Sequence, residues 1–231
     1  MNRFLSLAKA DPGSRQLLQE ALQTRYGLRP LALESLLLTL TGQRRGFLGL
    51  SIQATLQLAY AEPMYWRYAE KRSFLGFSRG GSVEVLTEAE AYSSQFAAAS
   101  EDKLFAESLR RQRWAFRALM LTPLTMEGVI LRALTESAIE ATHEYAPFDA
   151  AIIYLHPDRS IAAVEIERYR LSDRRRLPYM IRPQGGLKTF GELVIPAQLA
   201  IQWGDEPSEL WTVQDGRANP KLGAQFFSLS G

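Results

Sequence analysis

FDAAIIYLHPDRSIAAVEIERYR, residues 148–170, consists of two apolar runs joined by the turn-forming segment His156-Pro157-Asp158-Arg159-Ser160. Ala151, Ile153 and Leu155 fall on one side of the first run, and Phe148, Ala150, Ile152 and Tyr154 on the other, so both faces are apolar. A strand apolar on both faces belongs in the middle of a sheet, covered above and below. The stretch therefore predicts a central antiparallel hairpin, and the rest of the chain is read against it.

Upstream, Ile52, Ala54, Leu56, Leu58 and Tyr60 alternate with polar residues, the period of a strand with one face in a core. Glu62-Pro63 marks a turn before a second strand, Met64 to about Lys71, and Arg79-Gly80-Gly81 a turn before a third, SVEVL. Three helical blocks are expected besides. The first is headed by Asp11 and Pro12 and stopped at Gly27; the second is LALESLLLTLT, Pro30 to Thr41; the third is a central block. In that central block Thr87 and Glu90 have capping-box spacing, and Ser100 can cap a helix carrying Leu104, Phe105, Leu109, Phe116, Leu119 and Met120. Arg110, Arg111, Arg113 and Arg117 then form a solvated face, and a further helix runs from Thr125 to about His143.

Beyond the hairpin come the basic stretch SDRRR, the run LPYMI, the loop RPQGG, a long strand from Thr189 to Trp203, the turn GDEPS and the run LWTV. The predicted class is α+β. Antiparallel strands from two meanders, about 48–87 and 148–229, pack against N-terminal and central helices. Residues 1–231 form a single domain, with a subdivision possible between 1–145 and 146–231.

The chain has 231 residues, 46% of them apolar, enough for a sizeable core, and its formal net charge of +2 gives no overall field toward nucleic acid or an anionic membrane. Absence of cysteine excludes disulfides, thiolate nucleophiles and Cys-ligated metal. The apolar run in MNRFLSLAKADPGSR is shorter than a secretory core and no window is long enough for a membrane-spanning helix, so a cytoplasmic protein is expected. Two histidines cannot build a His-rich metal site, and Walker A, G-x-G-x-x-G and H-E-x-x-H patterns are missing.

Three acids sit inside the hairpin. Pairing Leu155 with Ile161 across the five-residue turn sets Glu165 opposite Ala151 and Glu167 opposite Asp149, so all three carboxylates share one face. Such crowding calls for a cation, and Asp149, Glu165 and Glu167 are the candidate metal ligands and catalytic residues, with Mg²⁺ or Mn²⁺ as the cofactor. Asp149 followed by Glu165-Ile166-Glu167 resembles the core of the PD-(D/E)XK nuclease superfamily, with Glu167 where lysine is usual. That resemblance implies metal-dependent phosphodiester hydrolysis, with Arg174, Arg175, Arg176 and Lys188 contacting nucleic acid. Gly76-Phe77-Ser78-Arg79-Gly80 fits the G-x-S-x-G of a nucleophile elbow, but the strand-like SVEVL follows it where a helix is required.

The reading that needs no missing residue is a non-catalytic binding or accessory protein without cofactor. It would meet a partner protein or an apolar ligand through an antiparallel sheet surface, with the aromatic-rich cluster Tyr60, Met64, Tyr65, Trp66, Tyr68, Phe74 and Phe77 lining a pocket or packing a core.

Overall fold

A computed structural model describes residues 9–45, 51–74, 77–95, 102–170 and 173–229. Its elements in chain order are β1 (Lys9–Ala10), α1 (Pro12–Tyr26), β2 (Ser35–Arg45), β3 (Ser51–Ala61), β4 (Tyr65–Phe74), β5 (Phe77–Leu86) and β6 (Ala91–Ser93). Then follow α2 (Lys103–Met120), β7 (Val129–Thr135), β8 (Ala138–His143), β9 (Ala146–Leu155), β10 (Ile161–Arg170), β11 (Arg175–Phe190), β12 (Leu193–Trp203) and β13 (Glu209–Ala218). All these strands belong to one sheet in the order β1-β7-β8-β9-β10-β11-β12-β13-β2-β3-β4-β5-β6. The pairings are antiparallel except the two-residue contact of β1 with β7.

The two meanders thus share a sheet, joined where β13 lies against β2 with Val213 opposite Leu40. That sheet is curled. α2 packs on β9 and β10 and also on β4, β5 and β6. Six strand spacings separate β10 from β4, roughly 29 Å if flat, and a helix about 10 Å across reaches both only when the sheet wraps around it. The concave side holds the main core, including Leu38, Leu56, Trp66, Phe116, Leu119, Ile153, Ile166 and Trp211. A second apolar cluster, with Ala59, Val85 and Phe227, lies on the opposite face of β3 and β5.

The first helix forms as its punctuation predicts. Asp11 accepts from the Ser14 backbone N–H at 2.9 Å, and the Gly27 N–H donates to Gln23. Asp11 also accepts from the Ala133 N–H at 2.8 Å, which ties the helix to β7.

Two expected helices are strands instead. Pro30–Thr41 is a bend leading into β2, where Leu36, Leu38 and Leu40 alternate into the core. Leucine's helical preference is weak beside the burial gained between β3 and β13. Residues 125–143 are the β7–β8 hairpin, with Val129, Leu131, Ile139 and Ala141 buried. The Thr87–Glu90 bond does form, the Glu90 N–H donating to Thr87 Oγ1 at 3.1 Å, but Thr87 N–H returns to the Glu90 carbonyl and closes a tight turn into β6. No helix starts there.

Ser100 and Gly76 lie outside the described residues; Asp102 caps α2. Arg79-Gly80-Gly81 is inside β5, at a register shift against β4. A Cβ on Gly81 would stand 2.1 Å from the Glu70 carbonyl oxygen, so only glycine allows the approach. The long strand expected from Thr189 is cut at Gly191-Glu192, which turns β11 into β12. Among the described residues no helix is long and apolar enough to cross a membrane.

A candidate ligand-binding cavity beside the central helix

α2 carries four arginines that the sequence places in solvent, and the structure buries three of them: Arg111, Arg113 and Arg117 are 1–3% exposed. A buried guanidinium needs partners for its fork of donors; each of the three meets a carboxylate, though the Arg117 Nε–H is left without an acceptor. Arg111 meets Asp149 at 2.8 Å and Glu107 at 2.6 Å, and donates to the Glu167 and Phe148 carbonyls. Arg110, still half exposed, takes the other Asp149 oxygen at 2.5 Å. Arg113 clasps the β3–β4 turn, meeting Glu62 at 3.0 Å and donating to the carbonyls of Ala61, Pro63 and Tyr65. Desolvation, with Arg117 beside it, pushes the Arg113 guanidinium down to about 10.

Arg117 stacks over the Trp114 ring at 5.0 Å, and one of its nitrogens lies 2.9 Å from Glu62. The Trp114 indole N–H donates to the Ala141 carbonyl at 3.0 Å, which fixes the ring against β8. His143 meets that ring edge-on at 5.9 Å and stacks on Tyr145 at 4.2 Å. Its room comes from Gly128, where a Cβ would stand 2.6 Å from the imidazole. Burial, reinforced by the Arg117 charge, holds the His143 pKa below the usual imidazole value.

These side chains bound a cavity of about 610 Å³ between α2, the β3–β4 turn and the β8–β9 turn. Its apolar walls include Met64, Pro63, Trp114, Met126, Pro147 and Phe148. Tyr145 and Phe148 stand 81% and 85% exposed at its mouth, large apolar groups left in water. Of the acids that line it, Glu62, Glu107 and Asp149 are each paired with an arginine, and Glu127 lies at the exposed edge. A guest therefore meets apolar walls and charges that are mostly paired, with Arg113 and Arg117 sharing Glu62.

The three hairpin acids are not brought together. A bulge between Ile161 and Ala163 shifts the register, so Glu165 pairs with Ile152 and Ile166 with Ala151. One extra residue reverses every side chain beyond it. Asp149 points inward with Ile166 to the α2 arginines. Glu165 accepts from the Tyr154 hydroxyl at 3.4 Å, and Glu167 lies mostly in solvent, 3.3 Å from Arg176. The expectation of a shared acidic face is corrected by that bulge. Among the described residues no group of three metal-ligating side chains gathers anywhere.

The basic residues are likewise dispersed. Arg174 reaches Asp102, Arg176 reaches Glu107, and Lys188 donates to the Val213 carbonyl. Arg175 pairs across the strands with Arg170.

Of the aromatic cluster's described side chains, only Met64 lines the cavity: Tyr60 and Trp66 are core, Tyr65 packs on Phe227 at 5.1 Å, and Phe77 is exposed, while the Phe74 side chain lies outside the described ones. Trp114, Met126, His143 and Tyr145 were not singled out from the sequence. The available signal was the arginines themselves, since apolar residues occupy so much of the α2 circumference that four cations cannot all face water.

No protein-family model matches the chain, and no curated protein does. Among solved structures, the chain is similar to a LolA superfamily protein from Nitrosomonas europaea, at TM-score 0.44 and 8% identity, over 93% of this chain and 97% of that one. It is also similar to a DUF1329 family protein from Desulfovibrio piger, at TM-score 0.42 and 9% identity, over 95% and 99% of the two chains. Likeness at this level assigns no role to any residue here.

Proposed function

We propose that the protein is a non-catalytic binding protein that holds an apolar small molecule in the cavity beside α2. The observation that carries this reading is the cavity itself. About 610 Å³ is within the size range of ligand sites, and the walls are Trp114, Met64, Met126, Pro63, Pro147 and Phe148. The arginine–carboxylate pairs around it orient the walls and hold most of the lining charge in ion pairs, which lowers the cost of seating an apolar guest. Tyr145 and Phe148 at the mouth supply the first apolar contact for an entering molecule.

Titration with the neutral fluorescent probe N-phenyl-1-naphthylamine tests this. Saturable enhancement at one probe per chain is expected, displaced by long-chain alcohols. Ala146→Trp, which fills the cavity from β9, abolishes it. Non-saturable enhancement, or binding unchanged in Ala146→Trp, refutes the proposal.

A further inference from the structure

A second cavity, of about 230 Å³, lies on the concave side at the level of Gln112, walled by β2, β4, β5, β10, β11, β12 and β13. Unlike the first it is polar, and most of its charges are matched. Arg44 bridges Glu70 at 2.8 Å and Glu209 at 2.7 Å, Arg72 meets Glu70 at 2.5 Å, and Glu206 pairs with Arg170 at 3.1 Å. Two opposite charges, Arg168 and Glu84, face each other across it without a direct ion pair. Arg168 is buried between the Tyr179 and Trp203 rings, 4.7 and 4.5 Å from their centroids, with its Nε donating to the Ser108 carbonyl at 3.1 Å. Its side chain also hydrogen-bonds Tyr179, and among the described residues no carboxylate lies within ion-pair distance, Glu84 acting on it only from across the cavity. Glu84, across the cavity on β5, makes no hydrogen bond or direct ion pair among the described residues; desolvation raises its pKa, while the Arg168 and Arg44 charges act on it from across the space.

Three further polar atoms on the same walls are buried and unpartnered: the Gln112 side-chain carbonyl, the Trp203 indole N–H and the Arg44 Nε–H. Gln112 is 3% exposed. Buried polar groups are normally satisfied, and a residual set of this kind marks a missing partner. The set has a polarity. Arg168 with the Trp203 and Arg44 N–H groups asks for an acceptor carrying negative charge, whereas Glu84 with the Gln112 oxygen asks for a donor carrying positive charge. Water supplies donors and acceptors, but only a molecule charged at both ends places a countercharge in contact with Arg168 and with Glu84 at once.

We infer that this cavity is a binding site for a small zwitterion of amino-acid size, its acid group held by Arg168 and the indole N–H and its ammonium by Glu84 and Gln112. The inference is independent of the apolar cavity and stands or falls without it.

Thermal scanning and calorimetry of the full chain with L-alanine and γ-aminobutyrate, against propionate and propylamine at equal concentration, test it. At least one zwitterion is expected to raise the melting temperature and to give saturable heat, with the single-charge analogues inert, because ligand binding only to the folded state shifts unfolding. Glu84→Gln removes a desolvated carboxylate that makes no direct ion pair, so the free protein should melt within about a degree or two of the parent, yet bind the zwitterion at least ~10-fold more weakly. Gln112→Met should weaken it as well. The inference is overturned if neither zwitterion shifts melting, if propionate does as well as alanine, or if Glu84→Gln binds like the parent.

Discussion

Replacing Asp149 with alanine separates the observed arrangement from a shared acidic face, because the two predict opposite signs. In the structure Asp149 is 3% exposed and takes Arg110 and Arg111 on its two oxygens. Removing one partner of a buried ion pair costs about 3–5 kcal/mol when the other is left bare. Arg110 can turn to water, and Arg111 keeps Glu107 and two carbonyls, so the expected loss is lower, ~2–4 kcal/mol. For a chain of this size ~3 kcal/mol corresponds to a fall in melting temperature of roughly 6–12 °C. Urea unfolding monitored by circular dichroism gives the same quantity independently, with the m-value unchanged if compactness is preserved. Glu165→Ala and Glu167→Ala should each stay within about 0.5 kcal/mol, as surface substitutions do. The double variant Asp149→Leu/Arg111→Met should recover much of the loss, since apolar replacements of both partners are often neutral. Three acids crowded on one face would instead relax when any one was removed. Asp149→Ala melting at or above the parent temperature would refute the reasoning.

Other expectations follow from the same geometry. His143 has a folded pKa below its unfolded value, so the unfolded chain binds the additional proton and its contribution favours folding above about pH 6.5 and fades as pH falls through that value. Melting curves from pH 5 to 7.5 should show a shallower acid-side decline for His143→Gln than for the parent; parallel curves would exclude the linkage. Gly81→Ala drives a methyl into the Glu70 carbonyl and should cost about 1–3 kcal/mol in denaturant titrations, and no measurable change would mean that β4 and β5 are not so close. Trp114→Phe keeps most of the cavity wall but loses the hydrogen bond to Ala141, and should cost ~1 kcal/mol in stability.

How far the sequence carried depended on whether an element announced itself locally. α1 has a cap, a first-turn proline and a stop glycine, and it folds where those stand. β3 alternates without interruption and β4 follows its Glu-Pro turn. β2 and the β7–β8 hairpin failed for a physical reason. Leu36 to Leu40 is apolar on both sides, which suits a buried helix as well as a central strand, and the Thr135–Ala138 turn contains neither glycine, proline nor asparagine. The hairpin of residues 148–170 was legible, but its register was not. Ile161-Ala162-Ala163-Val164 gives no sign that one residue will stand outside the ladder, and that one residue decides which acids enter the core. The candidate cavity was hidden for a related reason, since its arginines look like solvated charge until the partners on β9 and the β3–β4 turn are in place.

The seam between β13 and β2 has a kinetic consequence. Every other antiparallel pair joins strands adjacent in sequence, whereas this one brings Leu36–Gly42 to Trp211–Ala218 across most of the chain. Contacts between distant segments carry the largest loop-closure cost and slow folding. The hairpins should therefore form early and the seam between the two halves of the sheet close last. In pulse-labelled hydrogen exchange, amides of β2 facing β13 should gain protection after those of β9 and β10, and simultaneous protection would show that closure is not the late step.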